Sequence, residues 1–192
     1  MLKNLGRNAS GYGYPVPVLM VGTYNEDGSV NVMNLHEVMR TNAGDLALCI
    51  GPRSKTHENI EKKKAFTIAL VNSNLLPAVD YFGIVSGNRI PDKFNKSGLK
   101  AVKSQHVDAP IIEGSPLVIE CELRELVRTE NFSTVIGAVV DVAADESVLT
   151  PAGKLDSAKT GMLLYNSFDN TYLSLGGYAG KAWGEGKKFT LY

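Results

Sequence analysis

The stretch VPVLMVGTYNEDGSVNVMNLHEV, residues 16–38, contains the clearest fold signal in the chain. Val16 to Tyr24 is an apolar run with several β-branched residues, which favours a strand. Asn25-Glu26-Asp27-Gly28 follows with turn chemistry, because Asp-Gly tolerates a positive φ. Ser29 to Val38 then predicts a second strand. Residues 16–38 therefore predict a β-hairpin.

The second strand ends in an unusual group of polar residues. Side chains alternate along a strand, so Asn34 and His36 share one face while Leu35 and Glu37 share the other. Both faces thus turn polar near the end of the strand. A strand that only covers a core does not show this pattern.

The next predicted elements are short. A strand is expected over Asp45 to Ile50, a surface helix over Ser54 to Lys64, and a fourth strand over Ala65 to Val71. Ser54 or Thr56 can cap the helix, and the lysines at its end suit the negative pole of the helix dipole. Residues 72–114 and the chain after residue 151 predict irregular structure.

Two long strands complete the pattern. Leu117 to Val127 alternates, and Ser133 to Ala144 is apolar on both faces around Gly137, which predicts burial within a barrel and against a second subunit. In the first of them, the residues expected to face inward are Ile119, Cys121, Leu123 and Val127, opposite Glu120, Glu122 and Arg124. This order does not suit a doubly wound parallel sheet. We expect a mainly β fold, an antiparallel barrel with a few helices.

Composition limits the function classes. The length of 192 residues predicts a single domain over 1–192. The 20 basic and 20 acidic residues cancel, so the chain has no net charge that would attract nucleic acid or a membrane. Cys49 and Cys121 lie in apolar strands without metal-site spacing, so both are expected to be buried thiols. We find neither a secretory signal nor a membrane span, which predicts a cytoplasmic protein.

A basic cluster lies where the third strand meets the helix, in IGPRSKTHENI, residues 50–60. A helix N-terminus exposes N–H groups and carries partial positive charge, and Arg53 adds a fork that can bind two phosphate oxygens. Hydroxyls of Ser54 and Thr56, with Lys55 and His57, could add to such a site. The alternative is a capped surface helix with solvated charges, and spacing alone leaves both open.

Other catalytic and nucleotide motifs are missing. There is no GxxxxGK[ST], GxGxxG, GxSxG or HExxH pattern, and His36 with His57 could form a metal site only through the fold. We therefore predict no metal site and name no catalytic residue.

Ordered motifs over nearly the whole chain carry a family resemblance. The sequence resembles the flavin reductase-like family of FMN-binding split barrels, especially its flavoredoxin-type branch. The matching motifs are PVPV with VGT (residues 15–18 and 21–23), DG with VNVMN (27–28 and 30–34), GPRSKT with NI (51–56 and 59–60), DYFG (80–83), SG (86–87), DKF (92–94), AP (109–110), LVIEC (117–121), IG (136–137) and GKAW (180–183).

This resemblance implies a homodimer with FMN bound at the subunit interface. The implied contacts are Arg53, Ser54, Lys55 and Thr56 to the phosphate, Asn34, Leu35 and His36 along the ring and ribityl chain, and Ser86, Gly87 and Lys93 closing over the flavin. Trp183 is expected either to pack over the cofactor or to clamp the dimer.

The implied activity is an FMN-dependent oxidoreductase that takes electrons from NADH or NADPH and passes them to a second flavin or another acceptor, which can be a protein. The alternative is a flavoredoxin-like electron carrier with little nicotinamide turnover of its own. Asn131-Phe132 stands where many relatives of the family carry Asp-His. The departure removes a histidine that could help to bind reductant or move protons, and it favours the carrier slightly.

Overall fold

The computed structural model describes residues 1–4, 6, 13–42 and 44–189, apart from the side chains of residues 42 and 188. The strands are β1 (Val16–Pro17), β2 (Leu19–Tyr24), β3 (Val30–Leu35), β4 (Val38–Asn42), β5 (Asp45–Ile50), β6 (Ala65–Leu70), β7 (Ala101–Lys103), β8 (Pro110–Ile112), β9 (Leu117–Arg128), β10 (Ser133–Ala144), β11 (Leu163–Asn166) and β12 (Thr171–Ser174). The α-helices are α1 (Lys55–Lys63), α2 (Leu76–Ile84) and α3 (Lys93–Lys96), and two 3-10 turns cover Glu146–Val148 and Glu185–Phe189.

A curled seven-stranded sheet dominates the structure. Its strand order is β3-β2-β6-β9-β10-β5-β4, and each pairing in it is antiparallel. The predicted hairpin is present as β2 and β3, with Leu19 opposite Leu35 and Tyr24 opposite Val30. The prediction of a mainly β, antiparallel fold with a few helices is confirmed.

Each face of the sheet has its own core. Inside the curl, Leu48, Phe66 and Ile68 pack with Cys121 and Val135 in one buried cluster. On the other face the sheet packs against α2, α3 and the β7–β8 hairpin, in a cluster that includes Met20, Val32, Val79, Phe82 and Phe94. Alternating residues of β2 supply both clusters, as the period of two in a strand requires.

The chain between β6 and β9 is more regular than predicted. Residues 72–114 were expected to be irregular, but they form α2, α3 and the β7–β8 hairpin. A weak periodic pattern explains the error, because apolar residues occur almost all round α2 rather than in one stripe. The chain after residue 151 was also expected to be irregular, and it contains the β11–β12 hairpin.

Three smaller predictions need correction. The second strand ends at Leu35, and Val38 begins β4, which pairs with β5. Val127 is 46% exposed because a β-bulge at Arg124 reverses the inward face near the end of β9. Cys49 is exposed whereas Cys121 is buried, since Cys49 points away from the core that its neighbours in β5 enter.

Among the described residues, none of the helices is both long and apolar enough to cross a membrane.

Candidate functional site

A cleft of about 270 Å³ lies between β3, the start of α1 and the end of α2. We call it the α1–α2 cleft. An adjoining cleft of about 360 Å³ shares Lys55 and Gly87 with it. The lining residues of the first are Asn31, Met33, Asn34, Ser54, Lys55, Thr56, Phe82, Gly83, Ile84, Val85, Ser86, Gly87, Arg89 and Lys93.

One side of the cleft is formed by the start of α1 together with Asn31 on β3. We call this side the α1 end. Ser54 caps the helix, and its hydroxyl oxygen accepts a hydrogen bond from the backbone N–H of His57. The N–H groups of Lys55 and Thr56 belong to the first turn of the helix, where no carbonyl precedes them in the helical ladder. The α1 end therefore has backbone N–H groups that can donate hydrogen bonds to a ligand in the cleft.

A buried polar network holds the α1 end in place. The Asn31 amide Nδ2 donates to Thr56 Oγ1 at 2.9 Å and to Thr23 Oγ1 at 3.1 Å. The Asn59 amide also donates to Thr23 Oγ1, at 3.1 Å, and to Asn25 Oδ1, at 2.9 Å. Because Thr56 Oγ1 accepts from Asn31, its own hydroxyl hydrogen can donate to a ligand in the cleft.

The opposite side consists of residues 82–87, with Lys93 behind them. We call this side the α2 wall. Lys93 is 3% exposed, and its Nζ donates to the carbonyls of Val85 at 3.2 Å and Phe82 at 3.4 Å. Burial lowers the pKa of Lys93 to about 8. These carbonyls lie at the C-terminal end of α2, where the helix dipole favours a cation.

Gly87 is where the two sides approach most closely. A Cβ at this position would lie 2.5 Å from Asn31 Oδ1 and 3.1 Å from Lys55 Cβ. Only glycine fits between the turn after α2 and the α1 end without a shift of its neighbours. The turn that contains Gly87 is tied to the basic cluster, because the Asn88 amide donates to the Arg53 carbonyl at 2.9 Å.

Asn34 connects the cleft to an aromatic group behind it. The Tyr172 hydroxyl donates to Asp80 Oδ1 at 2.7 Å and is also hydrogen-bonded to Asn34. Burial, with the bond to Asp80, raises the pKa of Tyr172 to about 12. Asn34 Oδ1 is buried and has no hydrogen-bond partner among the described residues. Asn34 therefore has one buried acceptor without a partner, in a residue that lines the cleft.

The structure brings most of the predicted site residues together. Seven of them line the cleft, namely Asn34, Ser54, Lys55, Thr56, Ser86, Gly87 and Lys93. Leu35 does not line it, because its side chain is buried in the core inside the sheet. Arg53 is exposed beside the cleft.

Neither histidine near the predicted site lines the cleft. His36 stacks on Tyr165, with ring centroids 4.3 Å apart, and burial lowers its pKa. The suggestion that His57 adds positive character is wrong, because His57 is 3% exposed and its Nε2 lies 3.0 Å from Ser133 Oγ. Burial lowers the pKa of His57 as well, which favours the neutral ring.

Sequence reasoning missed seven of the lining residues, namely Asn31, Met33, Phe82, Gly83, Ile84, Val85 and Arg89. Alternation along the strand puts Asn31 on the face opposite Asn34, and its contact with Thr56 depends on how α1 packs. Arg89 follows the Ser86-Gly87 pair by two residues, so a basic residue after that turn was an available signal. Arg89 forms no ion pair with any described residue.

These features fit a ligand with an anionic end and a flat polar ring. The α1 end offers N–H and hydroxyl donors, Arg53 and Arg89 offer charge, and the α2 wall offers the exposed apolar side chain of Ile84. Gly87 lets the two sides of the cleft approach each other without a side chain between them. The cleft therefore suits a phosphorylated flavin.

The fold and the cleft define a β-barrel protein of the flavin-binding class. Residues 11–169 match the family model described as flavin reductase like domain, and the chain belongs to this family. The implied split barrel is confirmed by its structural relatives.

Two flavoredoxin structures are similar to the chain over almost its full length. Flavoredoxin of Desulfovibrio vulgaris (Miyazaki F) has a TM-score of 0.89 and 31% sequence identity, covering 97% of this chain and 100% of that one. Flavoredoxin from Methanosarcina acetivorans has a TM-score of 0.87 and 28% identity, covering 99% and 100%. A sequence relative, the uncharacterized protein YdfE of Bacillus subtilis (strain 168), is 25% identical over 184 residues, which are 88% of this chain and 87% of that protein.

Proposed function

We propose that the α1–α2 cleft binds FMN and that the protein transfers electrons from NADH or NADPH through it to an acceptor. The observation that carries this proposal is the α1 end, where helix N–H groups and the Thr56 hydroxyl meet a cleft flanked by Arg53 and Arg89. Membership of a family of flavin-binding oxidoreductases supports the flavin. When bound, FMN supplies the capacity to accept a hydride and to release electrons.

The residues of the chain have separate roles in this proposal. Ser54, Lys55 and Thr56 bind the phosphate, with Arg53 and Arg89 adding charge from the rim. Asn34 accepts a hydrogen bond from the ring edge, and the α2 wall excludes water from one ring face. Lys93 holds the carbonyls of Phe82 and Val85 together and keeps a proton donor beside the wall.

Paired titrations with FMN and riboflavin test the phosphate assignment. The purified protein is expected to bind FMN more tightly than riboflavin, because only FMN carries the dianion. Arg53→Ala and Arg89→Ala should each weaken FMN at least about tenfold and leave riboflavin unchanged, since a charge-assisted hydrogen bond is lost. Arg124→Ala on β9, where Arg124 pairs with Asp45, is the matched control. Equal losses for both ligands would reject the phosphate site, and a protein that binds neither flavin would reject the proposal.

A second function is favoured by the similarity to two flavoredoxins at 31% and 28% identity. In this alternative the protein is an electron carrier that exchanges electrons with another protein. Phe132, 44% exposed, stands in place of a histidine that could handle protons. Steady-state oxidation of NADH and NADPH with free FMN separates the two functions, because a carrier gives negligible turnover and a reductase gives sustained turnover.

We also propose that two copies of the chain associate through an apolar part of the sheet. Two clefts of about 190 and 290 Å³ share Arg40, Leu46 and Ile119, and exposed Val140 and Val142 lie on the same strand as Val139, which lines the second. A second copy would cover these side chains. Light scattering after size-exclusion chromatography should give twice the monomer mass, and Val142→Glu should shift the protein toward monomer. A monomeric wild-type protein contradicts this proposal.

A further inference from the structure

A second cluster of polar side chains lies outside the α1–α2 cleft. His106 is in the loop between β7 and β8, Glu120 is on β9 and Asp141 is on β10. His106 Nδ1 lies 3.3 Å from Glu120 Oε2 and 3.6 Å from Asp141 Oδ2. Among the described residues this is the one group of three metal-binding side chains whose ligand atoms lie within 4.8 Å of one another.

Glu120 occupies an unexpected environment. The alternation of β9 predicted that Glu120 faces away from the core, but it is 2% exposed beneath the β7–β8 segment. Its strand partners are Thr67 on β6 and Asp141 on β10. A carboxylate that is 98% buried requires compensation of its charge.

The β-bulge in β10 places a second carboxylate beside the first. The register shifts between Val139 and Asp141, so Asp141 rather than Val140 lies directly opposite Glu120. Like charges opposite each other on neighbouring strands are destabilising. The Ser104 hydroxyl donates to Glu120 Oε2, which supplies one neutral donor for two acidic groups. Among the described residues, His106 is the one basic side chain with a nitrogen within 4.0 Å of a carboxylate oxygen of this pair.

The separations match those of ligands around one metal ion. A tetrahedral ion with ligand distances of about 2.1 Å holds its ligand atoms about 3.4 Å apart. The two separations from His106 Nδ1, 3.3 and 3.6 Å, lie on either side of that value, and the two carboxylates have oxygens within 4.8 Å of each other. One imidazole nitrogen with two carboxylate oxygens suits Zn²⁺ and related transition metals better than Mg²⁺ or Ca²⁺, which prefer oxygen ligands throughout.

We propose that His106, Glu120 and Asp141 bind a divalent transition-metal ion of the Zn²⁺ class. The ion neutralises the Glu120–Asp141 pair and links the β7–β8 loop to the two longest strands of the sheet. The partly exposed His106 and Asp141 leave one coordination position for water. This site is independent of the proposed flavin function.

Metal titration of the full chain tests the site. After dialysis against a chelator, the protein is titrated with Zn²⁺ in competition with a chromophoric chelator, and with Co²⁺ by visible absorption. We expect one equivalent to bind, with the strong absorption of a four-coordinate Co²⁺ ion. His106→Gln and Asp141→Asn each remove a ligand at a partly exposed position, and each should weaken binding at least about tenfold.

Two controls keep the test specific. Cys49→Ser removes the exposed thiol that competes most strongly for Zn²⁺, and Glu122→Gln changes an exposed carboxylate on β9. Neither should change the affinity of the site, and circular dichroism checks that each variant is folded. No uptake of Zn²⁺ or Co²⁺ by the wild-type protein overturns the proposal. Uptake that His106→Gln and Asp141→Asn leave unchanged also overturns it, because the ion then lies elsewhere.

Discussion

The two sides of the α1–α2 cleft are built in different ways. The α1 end consists of consecutive side chains and N–H groups at a helix start, fixed from below by Asn31. The α2 wall consists mainly of backbone, with Ile84 as its exposed apolar side chain and Lys93 bonded to the carbonyls of Phe82 and Val85. The first side therefore owes its shape to side-chain hydrogen bonds, and the second to the end of a helix and a buried amine.

Gly87 joins the two sides, and its substitution has the largest expected effect on ligand binding. The Cβ of Gly87→Ala meets Asn31 Oδ1 and Lys55 Cβ, so one side of the cleft must move. Overpacking of this kind costs about 1–3 kcal/mol, which corresponds to a loss of FMN affinity of roughly fivefold to 150-fold. Fluorescence titration measures the loss. Gly176→Ala is the control, because nothing lies within 4 Å of its added methyl group.

The α1 end can be disrupted through the residue beneath it. Asn31→Ala removes the donor to Thr56 and Thr23 and leaves two buried hydroxyls with fewer partners. We expect the free energy of unfolding to fall by about 2 kcal/mol, as measured by urea denaturation. Asn95→Ala on α3 changes an exposed amide and should have no comparable effect. A loss as large in Asn95→Ala would show that the network under α1 contributes nothing specific.

The sequence predicts the α1 end better than the α2 wall for a physical reason. Arg53, Ser54, Lys55 and Thr56 are contiguous, so their chemistry can be read in one motif. Phe82 and Gly83 contribute as backbone or surface at the end of a helix, and that helix was predicted to be irregular chain. The Ser86-Gly87 pair and Lys93 were placed through family resemblance rather than through local pattern.

The fold shows the same division. The hairpin of β2 and β3 was predicted because alternation and turn chemistry are local properties. The exposure of Val127 and the burial of Glu120 were not predicted, because both depend on β-bulges and on packing against distant segments. The family resemblance placed His36 in the site together with Asn34, but the chain turns after Leu35 and the His36 ring stacks on Tyr165.

Lys93 allows the α2 wall to be tested by pH. Its pKa of about 8 lies below the ordinary value of 10.5, so the unfolded chain binds more protons between these values. Stability from this group therefore rises as the pH increases from about 8 toward 10.5, by at most about 1.4 kcal/mol per pH unit. Cys121 acts in the opposite direction, because burial raises the pKa of its thiol from 9.0 to about 12.

The difference between the wild-type protein and Lys93→Met isolates the lysine, since Cys121 is common to both. Urea denaturation at several pH values between 7 and 10 should show the wild-type protein gaining stability relative to Lys93→Met above pH 8. Lys100→Met, at an exposed position, is the matched control. A constant difference over this range would mean that Lys93 stays charged and is not strongly desolvated in the wall.

Tyr172 has the smallest expected effect, and it tests whether Asn34 needs support from outside the cleft. Tyr172→Phe removes the hydroxyl that bonds Asp80 and Asn34. The free energy of unfolding should fall by about 1 kcal/mol, and FMN should bind severalfold more weakly because the Asn34 amide is free to rotate. Tyr165→Phe is matched to it, since Tyr165 bonds Asn170 rather than Asn34. Absorbance titration should show that the tyrosine with a pKa of about 12 is lost in Tyr172→Phe and retained in Tyr165→Phe. If both variants weaken FMN equally, the aromatic group supports the cleft only by packing, and the Asn34 oxygen is not oriented by Tyr172.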